Sequence, residues 1–370
     1  MGLIRVLLAL TVVVAHSNAI FGIEFGGGVV AVQTFFIISG FYMSMILENK
    51  YIGEGSYKLF ISNRLLRLFP IYWVVLALTI IINLFAIFLI NKPVTLSYYI
   101  DYFHEMSLGT FLFTVIMNIM LFGQDIIMFL GLNTETGNLF FTNNYFETDP
   151  QLWRFSFIPQ AWTLGVELTF YLIAPFIVRR KTSTILTLIL LSLLLRGYIY
   201  FSLGWTNDPW IHRFFPTELA LFLFGTISYR IYSKIANSKK SGKIELSITV
   251  GFIIITIFYQ FIPAFSNIWI YYLLSCFSIP FIFKVTKNSK FDMHLGEFSY
   301  PIYIGHRIVI QAITPFTDKL GIETYRGELA TILSFGTAYL LIKFVSDPIE
   351  KIRRARFEKA KKTMSTNQSN

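Results

Sequence analysis

Apolar runs of about 20 residues recur along the chain, beginning near residues 3, 26, 70, 160, 183, 213, 246, 266, 297 and 328. A helix rising about 1.5 Å per residue needs about 20 such residues to cross a hydrocarbon core of about 30 Å. No water reaches that core to satisfy a backbone, and an apolar run of this length closes its own hydrogen bonds only as an α-helix. The pattern therefore predicts an all-α, polytopic membrane bundle of about ten transmembrane helices. Of the 370 residues, 55% are hydrophobic and 14% charged, which leaves too little polar surface for a soluble domain of this size.

The net charge of +10 invites a nucleic-acid reading, but the basic residues gather between apolar runs. They cluster at Arg64/Arg67, Arg179–Lys181, Arg230–Lys243, Lys284–Lys290 and Lys343–Lys362. Such clusters mark loops on the cytoplasmic side. Alternating the runs then places both termini in the cytoplasm of a multi-pass protein of the cell membrane, and no nucleic-acid partner is expected. Residues 110–131 resist this scheme: they are apolar enough to cross, yet the charges on both flanks favour the outside. A re-entrant or interfacial segment is expected there, with an eleventh span as the alternative. His16 inside the first apolar run, with a second run close behind, argues for a retained helix and not a cleaved leader. The domain reading is one membrane domain over 1–346 and a basic tail over 347–370, whose charges are expected to meet anionic lipid heads. The single cysteine, Cys276, excludes an intramolecular disulfide and a thiolate zinc cluster, and no metal is expected.

Ionisable residues within membrane helices are expensive to bury and read as functional. Arg5 and His16 stand eleven positions apart, which returns to within about 20° of the same helix face and separates them by about 16 Å. Estimated depths put Gln33, Glu167 and Arg196 near the level of His16, and His306 near the middle of its span. Several helices thus deliver polar groups to one layer, facing each other or a water-filled cavity. Arg64 and Arg67, three apart, share a helix face where planar guanidiniums suit phosphate oxygens, and Pro70 is expected in the first turn of the spanning helix.

Several blocks resemble the integral-membrane acyltransferase family three, which contains polysaccharide and lipid O-acetyltransferases. Arg5-x10-His16 is similar to its opening signature, and Gly28-x2-Ala31-Val32-Gln33-x-Phe35-Phe36-x2-Ser39-Gly40-Phe41 to its second block. Phe60-x3-Arg64-x2-Arg67-x2-Pro70-x-Tyr72, Trp162-Thr163-Leu164-Gly165-Val166-Glu167-x2-Phe170-Tyr171 and Ser299-Tyr300-x2-Tyr303-x2-His306 resemble three more, in family order. Ala31 replaces a glycine, Gln33 an acidic residue and Thr163 a serine; the second change puts any charge role at position 33 in doubt. The 370 residues hold no SGNH-type esterase domain of the kind some members carry, so a stand-alone membrane domain is expected.

The resemblance implies a cytoplasmic acyl-CoA donor, most often acetyl-CoA, used as a substrate and not as a resident cofactor. It implies a sugar hydroxyl of a cell-surface polysaccharide or lipid-linked glycan as acceptor. His16 is expected to be the general base, kept neutral by burial, with Glu167 orienting it or stabilising the imidazolium. Arg5, Arg64 and Arg67, with Ser39, are expected to hold the donor. Gln33, Trp162, Tyr171, Arg196, Tyr300 and His306 are expected on the acceptor side, Trp162 and Tyr171 by stacking on sugar or by packing. Glu167 and Arg196 could equally form a structural ion pair. A carrier or flippase for a lipid-linked sugar is the competing reading, since buried Arg, Glu and His also suit a proton-coupled transporter. No internal repeat supports it.

Overall fold

The apolar runs become helices in the computed structural model, which describes residues 1–90, 96–237 and 242–369. The middle of the basic 230–245 loop, residues 238–241, lies outside that description. In chain order the helices begin with α1 (Gly2–His16), α2 (Gly27–Asn49), α3 (Ser56–Ile90), α4 (Ser97–Tyr102) and α5 (Leu108–Ile119). A two-stranded antiparallel hairpin, β1 (Leu130–Leu132) and β2 (Leu139–Phe141), pairs Gly131 with Phe140. Then come α6 (Trp162–Ile177), α7 (Thr182–Gly197), α8 (Phe215–Ile235), α9 (Gly242–Ile257) and α10 (Ile268–Thr286). The chain closes with α11 (Lys290–Glu297), α12 (Ser299–Leu320), α13 (Arg326–Leu341) and α14 (Asp347–Ser369).

Among the described residues, five helical stretches are long and apolar enough to cross a membrane, which makes this a multi-pass membrane chain. Other apolar runs fold shorter than their composition suggests: α1 has 15 residues, and α6 and α9 have 16 each. Residues 110–131 form no single long helix. Their helical part, α5, has 12 residues and rises only about 18 Å before short 3₁₀ turns and the hairpin take over. Its start is capped by Ser107, whose side chain accepts the Thr110 N–H at 3.3 Å. Pro70 is not in a first turn but inside α3, which begins at Ser56. The helix starts several turns earlier than the hydropathy pattern suggests because Arg64 and Arg67 belong to it.

The chain divides into two compact units. The first comprises Met1–Ile71, Ile173–Ile189 and Ala220–Asn370; the second comprises Tyr72–Leu172 and Leu190–Leu219. In the first, Val6, Ala9 and Val13 of α1 pack with Ile302 of α12 and with Ala330 and Ala338 of α13. Small residues let backbones meet there, as in other membrane bundles. A Cβ on Gly40 of α2 would lie 1.8 Å from the Phe222 carbonyl oxygen, and one on Gly225 of α8 would lie 1.9 Å from that of Ile37. The second unit has its own core, built by Tyr99, Ile127, Met128, Leu132, Tyr145, Leu152 and Phe155.

Long-range bonds tie helix ends of the first unit together. Asp292 of α11 accepts the Gly2 N–H at 2.7 Å and the Leu3 N–H at 2.9 Å, capping α1 from the far end of the sequence. Burial alone would push the Asp292 carboxyl up. Hydrogen bonds from the start of α1, those of Gly2 and Leu3 among them, outweigh that and hold it below its ordinary value. Arg179 donates to the Leu47 carbonyl and, at 2.5 Å, to that of Tyr51 past the end of α2. Arg230 likewise donates to the Val178 carbonyl beyond α6 at 3.0 Å. These cations of the basic clusters therefore satisfy the open carbonyls of helix C-termini, where positive charge is favoured.

Candidate active site

Helix α1 carries the centre of the site in the first unit. His16 is its last residue, and the ring Nδ1 lies 2.9 Å from the Val12 carbonyl oxygen. A carbonyl only accepts, so Nδ1 carries the proton and Nε2 presents a lone pair. The sequence reading buries this ring, but His16 is exposed, because α1 stops there and the chain turns away at Ser17. The buried imidazole is its neighbour, His306 of α12, with no exposed surface. The two ring centroids are 5.0 Å apart with planes tilted by 47°. His306 Nδ1 lies 2.6 Å from the Tyr303 carbonyl oxygen, so the same argument leaves Nε2 of His306 as the acceptor nitrogen. That Nε2 is buried and has no hydrogen-bond partner among the described residues.

At the opposite end of α1, Arg5 borders two cavities. One, of about 350 Å³, is lined by Arg5, Arg64, Arg67, Lys287, Tyr42 and Asp292 among others. Arg64 is only 6% exposed, whereas Arg67 is exposed. The Arg5 guanidinium carbon stands 5.9 Å from the centroid of the Tyr42 ring. The second cavity, of about 260 Å³, shares Arg5 and Arg67 and adds Tyr300, Glu350 and Arg353. Tyr300 donates its hydroxyl to the Leu68 carbonyl at 2.7 Å, so it joins α12 to α3. Ser39 is buried one turn beyond Met43 on α2, outside the lining of both cavities. Gln33 is buried too and accepts a hydrogen bond from the Tyr272 hydroxyl, a neutral partner that suits an amide in place of a carboxylate.

Sequence reasoning anticipates Arg5, Arg64 and Arg67 at one place but misses Lys287 and Arg353. Both lie in loops or tails whose charge reads as a topology signal. A third cavity, of about 460 Å³, opens at the His16 end of α1. It is lined by Ala15 and Ser17, which flank His16, and by Asn18, Glu24, Tyr259 and Gln260. The first unit thus places one strongly basic cavity and one of mixed charge at one end of α1, and a polar, aromatic one at the other. The imidazole pair lies toward the second end.

The second unit holds the remaining expected residues. Tyr171 donates its hydroxyl to Glu167 one turn earlier on α6. Arg196 of α7 pairs with Glu218 of α8, a carboxylate with no exposed surface. Glu218 is the acidic partner that sequence reading overlooks. The Trp162 ring is covered by Arg213, whose guanidinium carbon lies 4.2 Å from the ring centroid. Arg213 in turn makes two 2.6 Å hydrogen bonds to Asp208, which also accepts the Tyr145 hydroxyl at 3.0 Å. One face of Trp162 is therefore committed to a protein cation, which leaves at most the other for a sugar.

The first unit is a membrane helix bundle with paired imidazoles at one end of α1 and clustered guanidiniums at the other. Among the described residues, no group of His, Cys, Asp and Glu could hold a metal ion. The chain belongs to the acyltransferase-3 family, whose model, described as an acyltransferase domain, matches residues 1–349. It is similar to the O-acetyltransferase OatA of Staphylococcus aureus, 26% identical over 94% of this chain and 56% of that one. An uncharacterized protein of Aquifex aeolicus is 27% identical over 56% of this chain and 92% of its own length. The chain thus spans little more than half the length of its Staphylococcus relative. No solved structure matches it.

Proposed function

We propose that this chain is a membrane O-acyltransferase that moves an acyl group, acetyl before others, from cytoplasmic acyl-CoA to a sugar hydroxyl. The acceptor is a cell-surface polysaccharide or a lipid-linked glycan. One observation carries the reading: α1 joins basic cavities at Arg5 to an imidazole, His16, whose Nδ1 proton faces the Val12 carbonyl and whose Nε2 is the basic nitrogen. The basic end faces the cytoplasm, in accord with the loop cations gathered there. Arg5, Arg64, Arg67 and Lys287 bind the donor's phosphates, since guanidinium forks match phosphate oxygens. An extended pantetheine arm then covers the rise of about 16 Å toward His16.

His16 Nε2 takes the proton of the acceptor hydroxyl as its oxygen attacks the thioester carbonyl carbon. The tetrahedral intermediate collapses with breakage of the carbon–sulfur bond, and the departing thiolate takes the proton back from the imidazolium. Atoms and charge balance, giving an ester and a free thiol. His306, fully buried beside His16, packs against that ring and helps fix its position. The cavity at Ser17, Asn18, Glu24, Tyr259 and Gln260 supplies hydrogen-bonding groups and an aromatic ring, the chemistry by which a sugar is held. Glu167, hydrogen-bonded by Tyr171, is the carboxylate that the family resemblance assigns to the same reaction.

The test uses the purified chain in nanodiscs with radiolabelled acetyl-CoA and a glycan acceptor, without any ion gradient. Thiol release together with label in the glycan is expected. Absence of both, alongside gradient-dependent movement of a lipid-linked sugar, would replace this reading with that of a carrier.

A further inference from the structure

The tail helix α14 makes side-chain contacts with the basic end of the first unit. Arg356 donates to Ser62 Oγ at 3.2 Å, and the Phe357 ring lies 5.8 Å from that of Tyr51. Lys50 stands 4.2 Å over the same phenylalanine ring. These contacts bring Arg353 inward, where its side chain is 17% exposed and donates to Glu350 at 2.5 Å. Its Nε is buried and has no hydrogen-bond partner among the described residues.

Arg353 lines one cavity with Arg5, Arg67 and Arg354. Guanidiniums gathered around one cavity favour an anion among them. The cavity that Arg353 lines, about 260 Å³, also presents the carboxylates Glu297, Asp347 and Glu350. These can accept only, which suits ribose hydroxyls and an exocyclic amine. A mixed cavity of this kind fits a phosphorylated nucleoside better than a pyrophosphate alone. The neighbouring cavity, with Arg5, Arg64, Arg67 and Lys287, is the more purely basic of the two.

We propose that α14 completes the donor site, and that the cavity it closes takes the 3′-phosphoadenosine end of acyl-CoA with Arg353 on the ribose 3′-phosphate. This rests on the acyl-CoA reading above. It makes Arg353 a specificity residue within what the charge pattern alone presents as a lipid-facing tail.

The experiment measures KM for acetyl-CoA and for acetyl-3′-dephospho-CoA with the full chain, its Arg353→Gln variant and its Arg353→Lys variant. The unaltered chain should show a KM for the dephospho donor about tenfold higher, as expected for one charge-assisted hydrogen bond to phosphate. Arg353→Gln should bring the ratio of the two KM values to about one, mainly by raising that for acetyl-CoA. Arg353→Lys should keep most of the preference. A Gln variant that raises both KM values together, or moves neither, overturns the subsite. So does an unaltered chain that uses both donors equally while still releasing thiol. Release of thiol from neither donor overturns the acyl-CoA reading itself, and the subsite with it.

Discussion

Exchange of Arg64 for Gln separates a donor-binding guanidinium from an ordinary topology charge. Arg64 is only 6% exposed and lines the basic cavity on α3, so it meets a donor phosphate out of bulk water. A hydrogen bond to a charged group in such a place contributes about 1.5–3 kcal/mol. Its loss should raise the donor KM by about 10- to 150-fold. Arg67 lies three residues on and lines the same cavity, but it is exposed. Solvent screening reduces such a contact to about 0.2–1 kcal/mol, so Arg67→Gln should raise KM by no more than about fivefold. Because both side chains act on one polyanion, the double variant should fall short of the product of the two effects. The assay is thiol release from acetyl-CoA in nanodiscs, with size-exclusion profiles confirming that each variant folds. Arg67→Gln matching or exceeding Arg64→Gln, or neither moving the donor KM, would refute the reasoning.

Three further outcomes follow from the geometry. Gly40→Ala places a Cβ 1.8 Å from the Phe222 carbonyl oxygen, so α2 and α8 must separate; a loss of about 1–3 kcal/mol should appear as a lower Tm in detergent, and an unchanged Tm would contradict the close contact. Arg196→Ala removes the cation paired with the fully buried Glu218 carboxylate and should destabilise by about 3–5 kcal/mol, with Glu218→Gln on top recovering part of it; an additive double variant would mean the two are not coupled. The Asp292 carboxyl sits below its ordinary value in the fold, so its contribution is complete above the usual aspartate range and lost only as pH falls through that lower folded value. Asp292→Asn should therefore lower Tm at pH 7, by a margin that narrows once pH drops below about 4; a margin constant down to pH 3 would exclude the carboxylate as the α1 cap.

The membrane makes charge conspicuous in a sequence, so the candidate polar groups are legible there. Arg5 and His16 share a face by helical geometry alone, and depth counting placed His306 on a nearby level. What hydropathy cannot tell is which way a boundary charge points. Lys287 and Arg353 look like any other positive loop residue, yet they line the cavities beside Arg5 and Arg67. Pro70 was misleading for a related reason: a proline is tolerated inside a membrane helix, so it does not mark the start of α3. Glu218 was overlooked since a single acid in the first turn of α8 is also what a helix N-terminus favours. Residues 110–131 show the limit of composition, which measures apolarity but not where a helix stops. Here α5 ends at Ile119, and the Tyr72 hydroxyl donates to the carbonyl of the preceding residue, Asn118.

The most direct measurement replaces His16 with Ala in membranes containing the chain and follows acetyl label from donor to glycan. If the Nε2 lone pair takes the hydroxyl proton, transfer should fall by at least about 100-fold, with the donor KM unchanged because the phosphate cavities lie at the other end of α1. Transfer at the unaltered rate would remove the imidazole from the chemistry and contradict the account.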